Sequence, residues 1–83
     1  MFILYLGCET YLMGEIIASI KSYNSNPIKA LCTQKAKYGQ LIICTGGEKR
    51  ESVIVTKEGL VYVSALPAIK LINKLKDHGY MVL

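Results

Sequence analysis

The stretch "QLIICTGGEKRESVIVTKEGLVYVS", residues 40–64, decides the fold. It holds three apolar runs, "QLIIC", "SVIVT" and "VYVS", each short, rich in Ile and Val, and bounded by glycine and charged residues. Runs of that kind read as β-strands, and short connections between successive strands predict an antiparallel meander. Gly46 and Gly47 then supply positive φ in a hairpin loop. The loop also carries the chain's only arginine, Arg50, directly after Lys49 and enclosed by Glu48 and Glu51. That charge order poses the functional question. The loop either keeps two strands apart and soluble or forms a finger that touches an anion.

Working outward, the segment before the strands predicts a helix. Asn26 reads as an N-cap with Pro27 at the first helical position, and "PIKALCTQKAKY" follows with Ile28, Leu31, Cys32 and Ala36 on one face. Gly39 closes it. After the strands, Pro67 opens a second helix, "PAIKLINKLKD", whose apolar face is Ala68, Leu71, Ile72 and Leu75. Gly79 ends that helix and leaves an apolar tail, "YMVL", expected to pack back or pair with another subunit. At the N-terminus, "FILYL" reads as a strand. Runs at residues 10–13 and 15–21 on either side of Gly14 suggest a hairpin with a very tight turn, although Ile16, Ile17 and Ile20 also satisfy helical spacing. The expected architecture is a single α+β domain over residues 1–83, a small, mainly antiparallel sheet with two helices in one pair of layers.

Composition bears on assembly and partners. A chain of 83 residues buries only about 60–65% of the surface its unfolded form exposes, so a monomer is marginal. Hydrophobic residues are 52% of the chain and charged residues 19%, more apolar surface than one small core absorbs, which points to self-association. Ten basic residues, nine of them lysine, against six acidic ones give a net charge of +4, compatible with an anionic partner such as nucleic acid. Cys8, Cys32 and Cys44 are odd in number and lack CxxC spacing, so they predict neither a disulfide framework nor a metal site, and fit small apolar residues in a reducing cytoplasm. "YLGC" at residues 5–8 resembles a lipoprotein cleavage box, but only seven residues, none of them charged, precede Cys8, and no apolar run approaches the roughly 20 needed to span a membrane. The chain is therefore read as cytoplasmic, with no membrane association.

Nothing in the sequence assembles an enzyme. The acidic residues fall in turns or beside lysines, and the one histidine, His78, stands at the end of the second helix, where it fits a cap on the last carbonyls. "TGGEK" lacks the GxxxxGK[ST] pattern of a phosphate loop and is followed by a strand rather than a helix. No catalytic residue, cofactor, metal or small-molecule substrate is expected.

From Ser25 the chain reads "SNPIKALCTQKAKYGQLIICTGGEKRESVIVTKEGLVYVSALP". In order and spacing this resembles the RemA/RemB family of small bacterial extracellular-matrix (biofilm) regulators. Ser25, Pro27, Ile28 and Lys29 match the family's S-x-P-I-K. Ala36, Leu41, Ile42, Thr45 and Gly47 match its A-x-x-x-G-x-L-I-x-x-T-x-G. Val53, Ile54 and Thr56, then Val61, Ser64 and Ala65, match the two closing strands. "MFILYLG" and "EIIASI" resemble the opening strand and the I-I-A-I segment.

The resemblance implies a cytoplasmic DNA-binding transcriptional regulator that acts as a ring-like homo-oligomer. Many copies of one small basic element would then sum weak phosphate contacts along a duplex. Lys49 and Arg50 are the expected DNA-binding pair, with Lys29 and Lys37 of the first helix extending the footprint. Two departures bear on this. The family's loop carries several arginines, whereas Lys49 and Arg50 (+2) are offset here by Glu48 and Glu51 (−2). Glu15 also stands where the family tends to have a basic residue. The alternative is therefore an oligomeric scaffold or protein-interaction module of RemB type that binds no nucleic acid.

Overall fold

The computed structural model describes residues 1–81; Val82 and Leu83 of the apolar tail lie outside the described residues. Six strands and two helices follow in the order β1 (Ile3–Gly7), β2 (Thr10–Met13), β3 (Ile17–Ser22), α1 (Asn26–Lys37), β4 (Leu41–Cys44), β5 (Ser52–Thr56), β6 (Val61–Ser64) and α2 (Ala68–Asp77). The fold is α+β and mostly antiparallel. The strands form a two-stranded sheet, β1–β2, and a four-stranded sheet in the order β3–β5–β6–β4.

The meander is corrected by that order. β5 and β6 do pair antiparallel, with Val53 opposite Val63, but β4 lies beyond β6 and runs parallel to it, with Leu41 opposite Val61 and Cys44 opposite Ser64. The loop at residues 45–51 is thus no hairpin tip. It crosses the end of β6, where the Glu51 N–H donates to the Ser64 carbonyl at 2.9 Å. Gly46 and Gly47 have the positive φ expected of them, +60° and +86°. The tight hairpin is likewise elsewhere. β2 pairs with β1 through a two-residue turn at Cys8 and Glu9, both at positive φ, the geometry of a type I′ turn. Gly14 instead begins a 3-10 turn, Gly14–Ile16, that redirects the chain into the second sheet.

The helices form where the sequence places them, with one shift. Ser25, not Asn26, caps α1, its hydroxyl accepting from the Ile28 N–H at 3.3 Å, and Pro27 sits in the first turn. Gly39 at φ +69° follows α1 and Gly79 at φ +82° follows α2, as C′ glycines do. His78 stacks on Phe2 with ring centroids 3.9 Å apart, and its Nδ1 lies 2.9 Å from the Lys74 carbonyl, the capping position.

The sheet is covered on both faces rather than on one, because its strands alternate two apolar sets. Val53, Val61 and Val63 face α1, which contributes Cys32 to that core while Ile28 stays only half-buried and Ala36 is exposed. Ile20 and Ile54 face the opposite way, toward Leu71 and Leu75 of α2 and toward Leu4, Leu6 and Leu12 of the β1–β2 hairpin. Alternation then turns Ile3, Tyr5, Tyr11 and Met13 outward, with Ile3 opposite Met13 and Tyr5 opposite Tyr11. A solvated hairpin face is ordinarily polar. This one is apolar on both sides, with Ile3 53% and Tyr11 61% exposed.

Candidate nucleic-acid interface

The loop at residues 45–51 is held at its base and open at its crest. Thr45 is buried, and its carbonyl accepts from the Glu48 N–H at 3.0 Å, closing a turn that leaves residues 46–50 exposed. At the far end the Tyr23 N–H donates to the Glu51 carbonyl at 3.1 Å, lacing the loop to the turn between β3 and α1.

Charges within the loop pair unequally. Glu51 lies 3.8 Å from the Lys49 ammonium, which remains 78% exposed. This is the one ion pair among the described residues, so Arg50 and Lys29 have no carboxylate at bonding distance. Arg50 turns instead toward Tyr23. Its Nη1 donates to the Tyr23 hydroxyl at 3.2 Å and its guanidinium carbon lies 5.6 Å from the ring centroid. Lys29, in the first part of α1, brings its ammonium within 5.7 Å of the same ring. The β4–β5 loop and α1, far apart in sequence, therefore bring two cations to one tyrosine, neither with a carboxylate at bonding distance among the described residues.

Behind them lies a hollow of about 240 Å³ lined by Tyr23, Cys32, Thr33, Ala36, Leu41 and Arg50. Burial pushes the Cys32 thiol above its ordinary value, and the nearby Arg50 charge pulls it the other way. Cys32 and Cys44 are buried and free. Cys8 is free but exposed, in contrast to the apolar role expected of it.

Of the four residues expected at the site, Arg50 and Lys29 approach the same Tyr23 ring, Lys49 adjoins Arg50 in the loop with its ammonium near Glu51, and Lys37 is set apart. Lys37 lies two turns along α1 from Lys29, about 12 Å away along the axis. Glu15 is also remote, since β3 separates it from Tyr23 by a span of about 20 Å. Its carboxylate accepts from the Tyr80 hydroxyl, a bond that raises the Tyr80 phenol above its ordinary value. Tyr23 itself is absent from the sequence-based site. Its signal was one aromatic residue within "SYNSN", otherwise a run of turn formers.

Among the described residues no group of three His, Cys, Asp or Glu side chains could hold a metal ion, and no helix is long and apolar enough to cross a membrane.

Residues 3–75 match the RemA-like family, described as extracellular matrix regulatory protein A-like. Relatives that carry the name "Putative regulatory protein" include one of Cyanothece sp., 30% identical over 83% of this chain and 76% of its own. One of Acaryochloris marina is 36% identical over 74% of this chain and 69% of its own. A third, of Oleidesulfovibrio alaskensis, is 32% identical over 80% of this chain and 79% of its own.

Proposed function

The chain belongs to the RemA-like family of regulatory proteins, and from that premise we propose that it is a cytoplasmic DNA-binding transcriptional regulator that works as a homo-oligomer. The observation that carries the reading is the convergence of the only arginine with Lys29 beside an exposed Lys49, on the side of the molecule where the β4–β5 loop projects. Guanidinium offers planar, forked donors suited to phosphate oxygens, and ammonium groups add point charge. Lys29 adds a positive charge beside the formally neutral loop, in which Glu48 is exposed with no cation at bonding distance among the described residues. Glu51 is engaged with Lys49, and Glu15 lies beyond a Debye length, about 8–10 Å at moderate salt.

Two or three cations per subunit bind a duplex weakly, so the reading requires repetition. The outward face of the β1–β2 hairpin supports it. Ile3, Tyr5, Tyr11 and Met13 form the kind of continuous apolar surface that subunits cover in one another. Several loops then engage one duplex together, and no chemical step is required of the protein.

The test is fluorescence anisotropy with a duplex of about 60 base pairs across a salt series, where log affinity falls with a slope near −0.9 per neutralised phosphate. The expected result is a slope equivalent to many phosphates, reduced by Lys49→Ala with Arg50→Ala at unchanged oligomer mass. Absence of binding at low salt by the folded oligomer overturns the reading and favours the protein-interaction module. An unaltered isotherm for the double variant removes the loop from the mechanism.

A further inference from the structure

We propose that Tyr23 is the positioning residue that makes one phosphate-diester seat of Arg50 and Lys29. The identity of the anion rests on the duplex-binding reading above; the positioning of Arg50 does not.

Arginine on an exposed loop ordinarily samples many rotamers, and fixing it at the moment of binding costs side-chain entropy. Tyr23 removes part of that freedom beforehand through three separate contacts. Its N–H holds the Glu51 carbonyl at 3.1 Å and so fixes the backbone immediately after Arg50. Its hydroxyl accepts from Nη1 at 3.2 Å, occupying one guanidinium donor and leaving the remainder for a ligand. Its ring lies within cation–π range of Arg50 and Lys29, at 5.6 and 5.7 Å. The ring is itself anchored, half-buried against the core of Cys32, Val53, Val61 and Val63.

Two cations drawn to one ring repel each other, and neither has a carboxylate at bonding distance among the described residues. An arrangement of that kind is completed by an anion. Phosphate diester suits it because the guanidinium can bridge two of its oxygens while the ammonium adds charge, and because a diester keeps a single negative charge at neutral pH.

Since Arg50 is the chain's only arginine, arginine-selective nitrogen labelling gives one assigned guanidinium in the NMR spectrum of the free protein. The expected wild-type signal carries a ring-current shift and slowed guanidinium rotation. Tyr23→Phe keeps the shift and loses the slowed rotation, and Tyr23→Leu loses both. In the duplex salt series, Tyr23→Leu lowers affinity by at least about fivefold, the equivalent of one lost contact, at wild-type oligomer mass and circular dichroism, with Tyr23→Phe between. In an Arg50→Ala background Tyr23→Leu retains only the smaller loss due to Lys29. Wild-type affinity in Tyr23→Leu, or equal losses with and without Arg50, overturns the proposal while leaving the duplex reading intact. Failure of the wild type to bind duplex, with the Arg50 signal as expected, overturns that reading and the seat's ligand but not the contact.

Discussion

Two serines lie directly opposite each other on neighbouring strands, Ser52 of β5 and Ser64 of β6, both 0% exposed, and replacing each by alanine should shift stability in opposite directions. The Ser64 hydroxyl donates to the Leu6 carbonyl at 2.6 Å and accepts from the Leu66 N–H at 3.0 Å, joining the sheet to the hairpin and to the start of α2. Ser64→Ala deletes both bonds and strands two backbone groups, at a cost of about 2–3 kcal/mol. The Ser52 hydroxyl is the one buried side-chain polar atom without a partner among the described residues. Burying an unpaired hydroxyl costs about 1–3 kcal/mol. Its removal forfeits only the packing of one oxygen, so Ser52→Ala should stabilise by about 1 kcal/mol. For a domain of this size that raises the melting temperature by about 4–8 °C. Urea and thermal unfolding at one fixed subunit concentration measure both variants, a precaution needed because association shifts apparent stability. Destabilisation of 1 kcal/mol or more by Ser52→Ala would show that its hydroxyl is satisfied, for instance by buried water, and would refute the reasoning.

Two other substitutions test the packing at the ends of the hairpin and on its open face. A Cβ at Gly14 would lie 2.7–3.0 Å from the Tyr80 ring, so Gly14→Ala should destabilise by about 1–3 kcal/mol, and much less once Tyr80→Ala has removed the ring; denaturant melts of the four-member cycle check this. Tyr11→Lys places a charge in the middle of the exposed apolar hairpin face and should lower the mass measured by light scattering, whereas an unchanged mass moves the subunit contact elsewhere.

Local structure and the antiparallel pairing of β5 with β6 were legible in the sequence, and the remaining strand neighbours were not. The helices follow from proline at their starts, glycine at their ends and apolar spacing, and β4, β5 and β6 follow from β-branched runs. Adjacency is a non-local property that the hydrophobic pattern does not carry. Seven residues between β4 and β5 suit a hairpin loop, yet they also suffice to cross one strand, a displacement of about 10 Å between β4 and β5. The β1–β2 turn was hidden for another reason. Its two positive-φ positions are filled by Cys8 and Glu9 rather than the Asn-Gly or Asp-Gly that signals such a turn, so the glycine at residue 14 drew the hairpin to itself.

The candidate site shows the same division between composition and geometry. Summing the charges of "EKRE" gives zero, and that sum argued against an anion at the loop. Distance distributes the charges differently, because Glu51 reaches Lys49 while Arg50 bends to Tyr23, whose ring Lys29 also approaches from a helix some 20 positions earlier. An electrostatic field depends on where charges sit, so a segment neutral in sequence can have a further cation, Lys29, beside it in space. The tyrosine that brings this about carries no charge and belongs to no motif. Its role follows only from the fold, which sets the turn after β3 against the loop before β5.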